Sequence, residues 1–481
     1  MRVNTRFQNT PGINLLTDDQ CEEIYLAALE VLERVGVMVY NEEALTLLKE
    51  AGARVKRNHV ILPSYLVKKA LSTAPSRIAI GNRNGERAMF LEKGRVYFGS
   101  GSDTQYTMDI GTGERRLVVK QDVVNAARVI DALKNIDFAM SLGIISDVPP
   151  RSAYIHQFEA LLLNTAKPIV YTAGGREDVE TILAMAEVAA GSKEKLEDNP
   201  FLICYAEPTS PLVHPREAVE KLLFCSQRRM PVMYVPALML GATGPVTMAG
   251  ALVVTNAETL TGLVIHQLKN PGAPFIAGGA APALDMGTSL CSYGSPEEHL
   301  SCAFNAAMAR FYNLPSFSTA GCSDSHLFDQ QAGMEAGYSI LMQALAGGNL
   351  IHDLGYLGAG MTSSLEMLLL GDEMAGIARH ILKGLEISKE TLAMEVIEKA
   401  GPGGTFLGEN HTLKYFKSAV YYPGLLNRFD YVRWKKEGAE SFYDRATRKV
   451  REILKSHPPS ELPSKAAQEI EAITAKIDNT R

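Results

Sequence analysis

Short apolar runs recur along this 481-residue chain, and the glycines and polar side chains that follow them define the available chemistry. Glu207, in Tyr205-Ala-Glu-Pro208, and Asp353, in His352-Asp-Leu-Gly355, stand where a general acid and a general base act. His352 beside Asp353 makes a third candidate catalytic group. A helix cap or an acceptor of backbone amides accounts equally well for a single acid in such a place. Tyr205 and Glu207 are two residues apart, so in a strand they face one side. Tyr97 and Asp103 share a parity in the same way, as do His352 and Tyr356. Gly278, Gly279, Gly321 and Gly355 either begin tight turns or leave backbone open to a large flat molecule. His299 and Cys302 share a helix face, and Cys322 lies near His326, but no CxxC or HExxH spacing is present, so no bound metal is expected. Ser-His-Asp order, GxSxG and a phosphate-binding GxxxxGK loop are absent too.

Those residues need a scaffold, and residues 241–279 show its repeating unit. A Gly/Pro loop leads into a helical stripe at Ala249, Leu252, Val253, Ala257, Leu260, Leu263, Val264 and Leu268. Asn270-Pro271-Gly272 stops the helix, Pro274-Phe-Ile-Ala is a short strand, and Gly278-Gly279 ends it. Comparable strands begin near residues 95, 136, 168, 201, 231, 274, 315 and 350. Eight βα units predict an α/β (β/α)8 TIM barrel, with candidate site residues at the C-terminal strand ends. An open doubly wound sheet is the rival, weakened by the lack of a GxGxxG turn. Residues 1–90 read as an α-rich cap with a hairpin at Asn84-Gly85, 91–385 as the barrel, and 386–481 as a helical extension for packing or subunit contact. His411, after Gly401-Pro-Gly-Gly404, is expected to fold back over the barrel mouth. The mouth itself is expected to be mostly apolar and glycine-lined, with Tyr97, Tyr205 and Tyr356 among its walls.

Composition narrows the partners. A net charge of −6 without a basic cluster argues against nucleic acid and anionic membranes. Six scattered cysteines suit reduced thiols in a cytoplasm. The polar N-terminal MRVNTRFQNTPG lacks the apolar core of a signal peptide, and no apolar run is long and uninterrupted enough to span a membrane.

The runs GATGPVTMAGALVVTNAETLTGLVIHQLKNPGAPF, SFSTAGCSDSHLFDQQAGMEAG and GGTFLGENHTLKYF resemble the trimethylamine methyltransferase superfamily, most of all its branch without pyrrolysine. The resemblance covers nearly the whole chain. It implies a TIM barrel, a cytoplasmic one-carbon enzyme and a partner protein that carries a corrinoid (cobalamin); a homo-oligomer is expected besides. It further implies methyl transfer from a small quaternary amine, with glycine betaine giving dimethylglycine as the first candidate. A quaternary nitrogen leaves as a neutral amine, so no acid and no zinc are required. On that reading Tyr97, Tyr205 and Tyr356 cage the cation, and His352, His411 or turn amides hold a substrate carboxylate. Gly278, Gly279, Gly321 and Gly355 then face the corrinoid. Two rivals stand beside it: a zinc-dependent thiol or alcohol methyltransferase using Cys322 and His326, and a non-catalytic barrel that binds betaines or corrinoid proteins.

Overall fold

A computed structural model describes residues 12–458 and 460–480. The N-terminal segment read above as polar, residues 1–11, lies outside the described residues.

Eight parallel strands close into a ring. They are β1 (Tyr97–Ser100), β2 (a bridging pair at 138–139), β3 (Ile169–Tyr171), β4 (Leu202–Ala206), β5 (Val232–Tyr234), β6 (Phe275–Gly278), β7 (Ser316–Thr319) and β8 (Leu350–Leu354). Seven form a continuous ladder in the order β1-β8-β7-β6-β5-β4-β3. β2 closes it, with Gly99 bridged to Phe138 and Ala139 bridged to Ile169. The sequence predicts a longer strand at 136–143. It is short because a side chain replaces its rungs: Ser100 Oγ donates to Met140 O at 3.0 Å and accepts from Met140 N at 2.8 Å.

Alternation sends Phe138, Met140, Val170, Ile203, Met233, Val235, Ile276, Phe317 and Leu350 into the ring, where they form its core. The hairpin Ile78–Gly81/Arg87–Leu91 adds Ile78, Ile80, Met89 and Leu91 to the same cluster. The segment assigned to the cap therefore supplies the barrel floor.

Helix Met248–Lys269 is apolar on nearly all sides because protein surrounds it. By length and composition it is able to cross a membrane, contrary to the sequence reading, but most of it is buried within the fold. Helices Asp18–Arg34, Glu42–Glu50 and Ser64–Thr73 pack on it. The first of these starts where Thr17 and Gln20 cap each other. From this helix Glu258 reaches the loop after β4, accepting from Leu212 N at 2.6 Å and Ser210 Oγ at 2.8 Å. Strand Val37–Val39 of the cap pairs with Val213–His214 of that loop. The cap thus fixes the chain just beyond Glu207.

Two insertions rise above the mouth. Hairpin Tyr106–Met108/Arg115–Leu117 joins Tyr356–Leu357 and Thr362–Ser363 in a small sheet. Hairpin Ala283–Asp285/Leu290–Ser292, not foreseen from the sequence, follows β6. The C-terminal helices Phe442–Ser456 and Ser464–Thr480 wrap the outside, tied by Arg128 to Leu454 O and by His156 to Asp478.

Candidate active site

Strand geometry decides which predicted residues meet. On β4, Tyr205 and Glu207 share the inner face, and the Tyr205 hydroxyl donates to Glu207 Oε2 at 3.1 Å. The Tyr205 ring stands edge-on to Phe317 with centroids 5.8 Å apart. On β8 the ladder slips between Ile351 and Leu354, and Asp353 adopts a left-handed φ of 75°. Simple alternation would turn Asp353 outward, away from its neighbour. The bulge lets both residues serve the mouth. His352 stacks on Phe317 at 4.1 Å, its Nε2 meets Thr319 Oγ1 at 3.1 Å, and its Nδ1 lies 2.7 Å from Asp353 Oδ1, off a hydrogen-bond axis.

Asp103, beyond β1, also has a left-handed φ of 62°. Its Oδ1 accepts from Gln157 Nε2 at 3.1 Å and Thr172 Oγ1 at 3.2 Å. Burial pushes its carboxyl up to about 6; Glu207 adds to the shift, while the hydrogen bonds and Lys221 oppose it. Glu298 is fully buried in the first turn of helix Pro296–Phe311, and its Oε2 has no partner. Burial, then Asp353, pushes it up to about 8.

Phenols complete the walls. Tyr154 is pushed up to about 12 by burial, then by Asp103, Asp178 and Glu207. Tyr293, just past the inserted hairpin, is raised by burial, then by Asp353 and Glu298. Tyr205 is raised by burial, then by Glu207 and Asp353. Tyr356 donates its hydroxyl to Ser102 O, and its ring lies where any side chain on Gly101 would fall. One set of carboxylates is thus felt by four phenols. The mouth is acidic, not mostly apolar, because bulge and loop turn acids into it.

Other predicted residues lie elsewhere. Tyr97 opens β1 and its hydroxyl accepts from Phe90 N at 2.9 Å, so it belongs to the floor, at the opposite end from the cage assigned to it. His411 sits on helix Asn410–Ala419 with its ring 4.7 Å from Tyr415, and does not fold over the mouth. The missing side chains of the four glycines are taken up by the protein's own packing. Gly278 faces Phe317 O, Gly279 faces Asn305, Gly321 faces Leu354 and Gly355 faces Leu142. Cys322 Sγ points at Tyr293 O, 3.7 Å away, and burial holds its thiol well above the usual range. His326 is exposed, and among the described residues no three His, Cys, Asp or Glu side chains are set to hold a metal. A cleft of about 530 Å³ lined by Arg77, Arg87, Arg228 and Arg229 contains none of the predicted residues.

Sequence reading missed Tyr154, Tyr293, Gln157, Thr172 and Glu298. The available signal was the length of the strand-to-helix connections at 140–152 and 279–295, too long for plain turns. Glu298 gave none, since an acid in a first helical turn is ordinary.

The profile of the family described as "Trimethylamine methyltransferase (MTTB)" matches residues 2–480. The chain is 33% identical over 470 residues to trimethylamine methyltransferase MttB of Desulfitobacterium hafniense (strain DSM 10664 / DCB-2), covering 97% of this chain and 95% of that one. It is 32% identical over 473 residues to a glycine betaine methyltransferase of Desulfitobacterium hafniense (strain Y51), covering 98% of each. MttB of Methanosarcina barkeri is 33% identical over 488 residues, with 98% and 96% covered. Among solved structures, monomethylamine methyltransferase (MtmB) of Methanosarcina barkeri superposes with a TM-score of 0.52 at 12% identity, over 94% of this chain and 90% of that one. That likeness concerns the fold.

Proposed function

The chain belongs to the trimethylamine methyltransferase family, and from that premise we propose that it takes one methyl group from a quaternary amine, with glycine betaine the first candidate, and passes it to a corrinoid carried by a separate protein. The observation that carries this reading is the mouth, where Tyr154, Tyr205 and Tyr293 stand among Asp103, Glu207 and Asp353. Phenol faces attract a methylated ammonium by about 0.5–2 kcal/mol each, and carboxylates balance its charge. The glycine betaine methyltransferase relative, matched end to end, makes glycine betaine the substrate to try first.

The carrier's corrinoid, when docked, supplies the nucleophile that accepts the methyl group. The carbon–nitrogen bond breaks, its electron pair stays on nitrogen, and betaine leaves as dimethylglycine with a neutral amine and its carboxylate still charged, without needing a proton. Because the cation's charge disappears along the way, Asp103, Glu207 and Asp353 favour the bound substrate over the transition state. Their contribution is therefore to binding and orientation, and alignment supplies rate. Tyr205, held by Glu207 and Phe317, sets the cation's place. The rim suits a docking protein: Met286 and Leu290 on the inserted hairpin, Leu327 and Met361 on loops, and Met334 in the first turn-and-a-half of helix Gln330–Ala346 are exposed there. All six cysteines are free, which fits a cytoplasmic setting.

The test is a panel of glycine betaine, choline, carnitine and trimethylamine, each with reduced corrinoid protein. Dimethylglycine should form from betaine in step with loss of the reduced corrinoid's absorbance. Equal turnover of trimethylamine, or turnover without corrinoid protein, contradicts the reading. Choline outpacing betaine would keep the quaternary-amine reading and replace its first candidate.

A further inference from the structure

Guanidinium groups gather at the floor, in the cleft of about 530 Å³. Arg77 and Arg87 come with the hairpin that closes the barrel, and Arg228 and Arg229 with the end of helix Arg216–Arg228. No basic run in the sequence records the cluster, because its halves lie far apart along the chain. Glu197 and Asp198 are the acids in the lining, so four cations face two anions in a chain of net charge −6. The cleft opens beneath β4, β5 and β6, whose preceding Pro200, Pro231 and Pro274 line it. It lies at the opposite end of the barrel from the mouth.

The four arginines are not equally occupied. Arg77 pairs with Glu92 at 3.0 Å, and Arg228 pairs with Glu187. Arg228 Nε is buried without a hydrogen-bond partner, 3.5 Å from Glu197 Oε1. Arg87 and Arg229 instead meet backbone: Arg87 Nη2 donates to Asp198 O at 3.0 Å and Arg229 Nη2 donates to Gly272 O at 3.2 Å. Among the described residues neither has a carboxylate within ion-pair distance. Their bonds aim each guanidinium, yet leave its charge unbalanced and most of its five N–H donors open. Arg229 also takes left-handed backbone, φ 53°, at the helix C-cap, a place that glycine or asparagine fills with less strain. Cations at a helix C-terminus suit its dipole, which accounts for Arg228 and Arg229 but not for Arg87 on the hairpin.

Two unbalanced guanidiniums select a doubly charged anion. A phosphate monoester carries about −1.5 to −2 at neutral pH and presents three oxygens that two forked donors can share. The cleft falls within the ~300–1,000 Å³ of small-molecule sites, with room for more than the phosphate itself. Pro75, Ile78, Ala79, Pro200 and Pro274 supply apolar surface for the remainder of such a molecule.

We propose that the floor cleft binds the phosphate group of a small phosphorylated molecule, with Arg87 and Arg229 as its principal partners and Arg228 Nε as a further donor. No group at the mouth takes part, so this ligand binds together with the substrate and not in its place. Calorimetric titration of the full chain with adenosine monophosphate, inorganic phosphate and adenosine, each to about 10 mM in about 0.15 M salt, tests it. Adenosine monophosphate should bind, phosphate should compete with it, and adenosine should not bind. Arg87→Gln and Arg229→Asn should each weaken the monophosphate about tenfold or more. The second variant keeps a residue suited to left-handed backbone. Tyr205→Leu, at the mouth, should bind the monophosphate as the wild type does. The proposal is overturned if neither phosphate compound binds, if adenosine binds equally well, if both arginine variants leave binding intact, or if Tyr205→Leu weakens it. If a variant does not fold, phenylglyoxal modification of the wild type decides: the monophosphate should protect Arg87 and Arg229, and protection of neither overturns the proposal.

Discussion

The two ends of this barrel are made from the same alternating strands and do opposite things. At the floor, Leu350 meets Ile78, Ile80, Met89 and Leu91, and the polar atom of Tyr97 is met by Phe90 N. At the mouth, Asp103 and Asp353 take left-handed backbone, Asp103 and Glu298 are buried acids with raised pKa, and Glu298 Oε2 has no partner. Each such feature costs stability, on the order of 1–3 kcal/mol. Such costs are met near the floor too, in the left-handed backbone of Arg229 and Asn313 and in the unpartnered Arg83 Nε and His266 Nε2. What sets the mouth apart is that its costly groups are acids gathered around one opening.

The largest test of the contrast is Asp353→Asn. It should raise KM for the quaternary amine about 10- to 100-fold while kcat stays within a few-fold, since the charge it offers matters most before the amine becomes neutral. An equal fall in kcat would assign Asp353 to the reacting step. Next is the pH dependence of binding. Asp103 must be charged to attract a cation, so affinity should rise as pH climbs through about 6, and Asp103→Asn should flatten the rise. A profile unchanged in the variant removes Asp103 from the site. Glu298 gives a smaller effect, on stability. Its folded pKa is raised, so the stability it contributes is present at low pH and lost as pH rises through about 8. The wild-type Tm should fall as pH rises from about 5 to about 8, and Glu298→Gln should fall less. The smallest effect on function is at the floor: Tyr97→Phe leaves Phe90 N without its partner and should cost about 1–3 kcal/mol of stability. KM should not move; if it does, the division between the ends fails.

The barrel was legible because proline and glycine punctuate the strands and helical stripes fill the gaps between them. β2 was over-read because the Ser100 hydroxyl stands in for backbone rungs, which no pattern of apolar residues records. At the site, parity placed Tyr205 and Glu207 together correctly. Parity says which face a residue takes but not which end of the barrel, so Tyr97 was assigned to the mouth. It also fails across a bulge, and the role of Asp353 depends on one. Tyr293 arrives from a connection, and Tyr154 from the start of the helix that follows one; their course is set by tertiary contacts, such as Asp324 accepting from Tyr293 N at 2.9 Å. The carboxylates that make the mouth acidic were visible singly, but their convergence was not.

The central claim is that the mouth is a site for a methylated ammonium ion, and calorimetric titration with tetramethylammonium asks this without any partner protein. The wild type should bind it, Tyr205→Leu and Asp353→Asn should each weaken binding about tenfold or more, and Tyr97→Phe should bind as the wild type does. No binding to the wild type, or binding that Tyr97→Phe weakens and the two mouth variants leave intact, would contradict the account.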